Sequence, residues 1–213
     1  MTDLLLTNTN VPALFRDTLF DDYDTRRRQG TASTLRQLKD WDPTESKPAL
    51  VLQGLPGVGK TMLASAMLNE YHEGYTPTRD DIPDATMLYL LQQKCPVYFT
   101  QLAELIDLNI RLFRLQNDVD KGIREPSEYL ELDHLLQDLK YRVKVLVIDD
   151  VGKEHHTGSG FARDAFDLLV RTRHNSGLTT IYTTNLPIRE WSGLYSDSMR
   201  SLIERSSLVL NFP

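Results

Sequence analysis

The sequence predicts an α/β fold, a central five-stranded parallel sheet flanked by helices, and three observations predict it. Short apolar runs at 49–53, 96–100, 143–150, 179–185 and 208–212 read as strands, and stretches of helical periodicity separate them. The third run, Val143-Lys144-Val145-Leu146-Val147-Ile148, is apolar nearly throughout, as a strand covered on both faces must be. A glycine-rich segment, Gly54-Leu55-Pro56-Gly57-Val58-Gly59-Lys60-Thr61, separates the first run from the first long helix. Strands that alternate with helices build a parallel sheet covered by helices on both sides.

Residues 1–48 form a lead-in to this unit, which spans 49–213. The lead-in holds Val11-Pro12, Phe20-Asp21-Asp22-Tyr23, the basic run Arg26-Arg27-Arg28 and a helix expected from Thr31 to about Trp41. After the glycine-rich segment, Thr61-Met62-Leu63-Ala64-Ser65-Ala66-Met67-Leu68 starts a helix that reaches about Tyr71. Residues 72–86, with Pro77, Pro83 and several aspartates, read as a surface loop. Leu102, Leu105, Ile106, Leu112 and Phe113 follow the second strand at helical spacing. A polar connection is expected over 116–126, then a helix marked by Leu132, Leu135, Leu136 and Leu139. Phe161, Ala165, Leu168 and Leu169 mark the next helix, which stops near Asn175-Ser176-Gly177.

Residues 54–61 complete the pattern G-x-x-x-x-G-K-[ST] between a strand and a helix, the order a phosphate-binding loop requires. Glycines allow the backbone to wrap closely, so that loop amides and the helix N-terminus face phosphate oxygens. The loop from Gly54 through Met62 is therefore the expected nucleotide cradle. Lys60 is placed on the β/γ-phosphates and Thr61 on Mg²⁺. Asp149-Asp150 closes the third strand in the Walker B arrangement: Asp149 to hold Mg²⁺, Asp150 to orient or deprotonate the attacking water. Asn185, at the end of strand four, can hydrogen-bond that water or the γ-phosphate in the manner of sensor 1. Positive charge is also needed near the γ-phosphate during transfer. Arg200 and Arg205, just before the last strand, can supply it to a nucleotide on a neighbouring subunit.

The chain has 213 residues and a formal net charge of −6, so any contact with a polynucleotide must use a local basic patch. Cys95 is the single cysteine, which excludes an internal disulfide and a thiolate metal cluster and suits the cytosol. Neither a signal peptide nor a membrane span is expected.

The chain resembles the AAA+ ATPases of the DnaC type, replicative helicase loaders that include phage-encoded ones, and their relative IstB, a transposition helper. The resemblance covers roughly residues 10–213. It rests on Val11-Pro12, Phe20-Asp21-Asp22-Tyr23, the loop Gly54–Thr61 and Val97-Tyr98-Phe99-Thr100. Its more specific part is Asp149-Asp150-Val151-Gly152-Lys153-Glu154 followed by Thr183-Thr184-Asn185-Leu186. It implies a P-loop NTPase fold of the AAA+ (ASCE) type, ATP and Mg²⁺ as cofactors, single-stranded DNA as a partner, and assembly into a homo-oligomer that engages a hexameric replicative helicase. By position Arg200 or Arg205 looks like the family's arginine finger, although Ser201 stands where an arginine is often found. Only about 48 residues precede the loop, where loaders carry a separate helicase-binding domain. Asp150 is one methylene shorter than the glutamate common in AAA+ enzymes, so slow hydrolysis, below about ten turnovers per second, is expected.

Other readings remain open at this point: an IstB-like helper, an ATP-binding adaptor with little hydrolysis, or a small-molecule kinase. The kinase reading needs an arginine-rich lid between strands three and four, whereas Arg163, Arg171 and Arg173 fall on a predicted helix. Arg111, Arg114, Lys121 and Arg124 are either DNA-phosphate contacts or a solvated face. Lys153 faces DNA or nucleotide, or neither. His155-His156 lacks a partner cluster for a metal. Trp41 and Trp191 read as packing residues.

Overall fold

The structure, a computed structural model, describes residues 9–27, 30–74, 96–153 and 160–213. Five strands, β1 (Ala49–Gly54), β2 (Val97–Gln101), β3 (Val145–Val151), β4 (Thr179–Thr184) and β5 (Ser207–Phe212), form one sheet in the order β2-β3-β4-β1-β5. Every pairing is parallel. The helices are α1 (Thr31–Lys39), α2 (Lys60–Gly74), α3 (Leu102–Asp120), α4 (Ser127–Tyr141), α5 (Phe161–Asn175) and α6 (Asp197–Ser206). The predicted five-stranded parallel sheet is thus the observed one.

Strand alternation divides the interior into two cores. Val51, Leu146 and Ile148 face one side with α3, α4, α5 and α6. Leu50, Leu52, Val145 and Val147 face the other with α2 and the lead-in. Trp191 is fully buried in the first core, and Trp41 packs at the edge of the second with its indole N–H donating to Lys47 O at 3.1 Å.

Residues 9–27 and 30–39 lie along the second core as a strap. The Phe99 N–H donates to Thr9 O at 2.8 Å, which covers the open edge of β2. Asn69 of α2 donates to Phe15 O and Thr18 O at 2.9 and 2.8 Å. Farther on, the Tyr23 ring meets Phe212 of β5 edge-on, with centroids 6.4 Å apart. The Thr34 hydroxyl of α1 then donates to Asn211 O at 3.2 Å on the opposite edge strand.

Two expectations are corrected. α2 runs through Gly74, so 72–74 are helical; residues 75–86 of the expected loop lie outside the described residues, as do His155 and His156. α3 continues to Asp120 and takes up the first half of the connection expected over 116–126. Polar residues do not stop a helix, and Gln116 and Asp120 bond across one turn at 2.7 Å. The stop comes at Gly122, whose φ of 67° lets its N–H turn back to Val119 O at 2.9 Å.

β3 carries one residue too many where it approaches its carboxyl end. Ile148 pairs with Tyr182 and Val151 with Thr184, so three steps on β3 match two on β4. The surplus is absorbed at Asp149-Asp150, and Asp150 takes a left-handed φ of 58°. Such bulges redirect side chains at strand ends. As a result Ile148 and Val151, three residues apart, both lie in the same core.

Candidate functional site

The strand-three aspartates, the glycine-rich loop and Asn185 meet where β1, β3 and β4 end, outside the carboxyl edge of the sheet, the place where ligands bind in open α/β folds. Because β1 lies beside β4, and β4 beside β3, the loop following β1 is brought to both polar strand ends.

Gly54 closes β1 where no side chain fits: a Cβ there would sit 2.2 Å from Phe212 O. Gly59, at φ 91°, leaves room for a neighbour, since a Cβ would come within 2.7 Å of the Tyr23 ring. Tyr23 in turn donates its hydroxyl to Val58 O at 2.8 Å. Asp22, Tyr23 and Asp24 of the strap and Gly57, Gly59 and Met62 of the loop and helix line a cavity of about 290 Å³ beside the loop.

Lys60 opens α2 and is buried, at 5% exposure. Its ammonium donates to Gly54 O and Leu55 O at 2.8 and 2.9 Å and to Asn185 Oδ1 at 2.8 Å. The loop lysine and the strand-four amide, 125 residues apart, are thus in direct contact. Leu55, Pro56 and Gly57 form the exposed outer arc of the loop, while Val58 is buried beneath it.

Thr61 follows on α2 and donates to Asp149 Oδ1 at 3.0 Å. Asp149 is 1% exposed, and the Thr183 hydroxyl donates to the same carboxylate oxygen. Burial pushes this carboxyl above its ordinary value; the neighbouring Asp150 adds to the push, while the hydrogen bonds from Thr183 and Thr61 oppose it. Thr183 also accepts the Asp150 N–H at 3.0 Å. Sequence reasoning placed Thr183 only in a motif; its signal was a hydroxyl two residues before Asn185, on the strand beside β3. The Asp150 side chain lies farther out, 2.8 Å from Lys153 Nζ.

Arg200 and Arg205 are not brought to this cluster by any contact. Arg200 pairs with Glu204 at 2.7 Å, and Arg205 donates to Ser201 O at 3.2 Å, both within α6. Arg111 pairs with Glu128, and Arg124 with Glu128 at 2.9 Å and Asp118 at 3.6 Å. Arg114 and Lys121 are exposed. No arginine-rich lid appears on α5: Arg171 pairs with Asp167 at 2.7 Å, and Arg173 is buried.

The donor set fits Mg²⁺. Among the described residues no three His, Cys, Asp or Glu side chains converge, so a metal caged by protein alone is not supported. One hydroxyl and one carboxylate within hydrogen-bond distance suit an ion that keeps most of its shell for water and phosphate.

A test of the site's electrostatics needs no ligand. The folded-state pKa of Asp149 is raised, so its ionisation costs stability above that pKa, and the cost is relieved as pH falls through it. Asp149→Asn keeps an oxygen to accept from Thr61 and Thr183 and removes the charge. The melting temperature of the nucleotide-free protein is therefore expected to rise by about 2–4 °C, as on the order of 1 kcal/mol gives in a domain of this size. A fall in melting temperature would show that the carboxylate's hydrogen bonds outweigh its burial.

No protein-family model matches the chain, and no curated protein matches it either. Solved structures do. The chain is similar to the DnaC helicase loader, with 23% identity and a TM-score of 0.60 over 95% of this chain and 100% of that one. It is similar to DnaI, with 17% identity and a TM-score of 0.63 over 95% of this chain and 94% of that one. It is also similar to the replication initiator DnaA bound to AMPPCP and single-stranded DNA, at 15% identity and a TM-score of 0.61, covering 95% of this chain and 50% of that chain. At such identities the likeness establishes the fold, that of the AAA+ P-loop proteins. Among the described residues no helix is long and apolar enough to cross a membrane.

Proposed function

We propose that this protein is an ATP-dependent helicase loader, which binds ATP with Mg²⁺ and single-stranded DNA and delivers or remodels a replicative hexameric helicase. The observation that carries the reading is the pair of contacts Lys60–Asn185 and Thr61–Asp149 at the carboxyl ends of β1, β3 and β4. Its support beyond the site is the likeness to DnaC and DnaI over nearly the full length of each chain.

The residues divide the work as follows. The N–H groups of Leu55 and of Gly57 through Thr61, with the N-terminus of α2, receive the phosphates; Pro56 has no N–H to give. Lys60 exchanges its carbonyl partners for β/γ-phosphate oxygens and remains in reach of Asn185. The cavity beside Tyr23 takes the base and ribose. Thr61 and Asp149 would hold Mg²⁺, which when bound neutralises charge on the phosphates. Asn185 and Asp150 orient the attacking water. Its oxygen bonds to the γ-phosphorus as the bond to the β,γ-bridging oxygen breaks, and ADP, phosphate and one proton result. Arg200 and Arg205 reach the nucleotide of a neighbouring subunit in the assembled homo-oligomer.

The test is hydrolysis by the purified protein with and without single-stranded DNA, with light scattering on the same samples and a helicase pull-down. A rise in rate with DNA, accompanied by assembly and helicase capture, is the expected result. Tight ATP binding with no hydrolysis, no response to DNA and no helicase capture would instead make the protein an adaptor.

A further inference from the structure

Asp150 is fixed at its backbone and tethered at its side chain. The bulge in β3 leaves it at φ 58°, and its N–H is held by the Thr183 hydroxyl at 3.0 Å. The chain then turns back sharply. Gly152 has φ 93°, and a Cβ there would come within 2.8 Å of Leu186 Cδ1. The Lys153 N–H donates to Asp150 O at 3.3 Å. This turn sets Lys153 Nζ 2.8 Å from Asp150 Oδ1. The pair is local in sequence, but it depends on a strand bulge and a left-handed glycine to form.

We propose that Lys153 is a positioning residue that holds the Asp150 carboxylate away from the attacking water, so that hydrolysis proceeds only when this ion pair opens. The inference rests on Asp150 being the group that orients the water. An ammonium at 2.8 Å occupies one oxygen of the carboxylate and offsets the negative charge that draws the water's proton. The side chains are 53% and 33% exposed, so the pair is weak enough to open and close repeatedly. It acts as a brake on turnover. Slow basal hydrolysis then has a cause beyond the short side chain of Asp150, and an anion that attracts Lys153, such as a DNA phosphate, would release the brake.

The experiment uses the full chain with ATP and Mg²⁺. Steady-state hydrolysis and nucleotide affinity are compared for wild type, K153A, K153Q, K153R, D150N and K153A/D150N. Both neutral variants are expected to raise kcat by about 2- to 5-fold, the range open to a partly exposed ion pair, with KM and ATP affinity unchanged. K153R should retain the wild-type rate, and the gain should vanish in the D150N background. If kcat of K153A and K153Q equals or falls below wild type while D150N is inactive, the brake is overturned and the role of Asp150 stands. A D150N rate equal to wild type overturns both. A change in KM with kcat constant assigns Lys153 to nucleotide binding and also overturns the brake.

Discussion

Arg173→Ala is expected to remove about 3–5 kcal/mol of stability. Arg173 is fully buried and, among the described residues, has no carboxylate partner. Its guanidinium instead donates to Leu139 O at 2.6 Å, Val143 O at 2.9 Å, Thr179 O at 2.6 Å and the Thr180 hydroxyl at 2.9 Å. Leu139 O is one of the carbonyls that the end of α4 leaves without a helical partner. One side chain of α5 therefore closes the end of α4 and fastens the segments entering β3 and β4. Burial lowers its pKa to about 10, which still keeps it charged at neutral pH. Truncation would orphan these acceptors and leave a cavity. In thermal unfolding the melting temperature should fall by about 10 °C or more. Lysine cannot reproduce the planar fork, so Arg173→Lys should recover less than half of the loss. A drop under about 1 kcal/mol for the alanine variant would mean that water replaces the guanidinium without penalty.

Lys60→Ala is expected to lower ATP hydrolysis by about 10²–10³-fold, as does removal of one fixed donor aimed at charge that develops in a transition state. The ammonium is buried and already held by Gly54 O and Leu55 O of the loop and by Asn185 Oδ1. Phosphate oxygens would replace carbonyls around a cation whose place is set in advance. Asn185→Ala leaves the contacts with Gly54 O and Leu55 O in place and should cost less, with the loss in kcat. Rates for both variants, read beside circular dichroism to verify folding, decide the matter. Hydrolysis by Lys60→Ala within threefold of wild type would mean that the loop is a structural turn.

Much of this was legible from residue patterns, and the exceptions have physical reasons. Buried parallel strands are apolar runs, so β1 and β3 stand out, and the loop announces itself through glycines needed for close approach. Asn185 was legible as a polar strand end near the loop and Asp149, and a sheet with β4 beside both β1 and β3 puts it there, but its direct contact with Lys60 was not read from the sequence. The bulge was not legible: Asp149-Asp150 reads the same in a regular strand end and in one with a surplus residue. Nor was the role of Arg173, because a helical arginine aimed inward looks like one aimed outward until the packing is known. Tyr23 reaches Val58 across 35 residues, a contact that no local pattern encodes. The end of α3 was misplaced because polarity, unlike Gly122, does not break a helix.

The abutment of Gly54 on Phe212 bears on how the molecule is made. β1 is translated first among the strands yet pairs only with β4 and β5, the last two to appear. During synthesis the segment 49–61 therefore has neither of its partner strands until β4 has emerged, and lacks the second until β5 follows. The phosphate loop must wait for β5 to become its neighbour. Such pairings are distant in sequence and slow to form. On the proposed function, nucleotide capture would therefore follow the docking of β5 against β1.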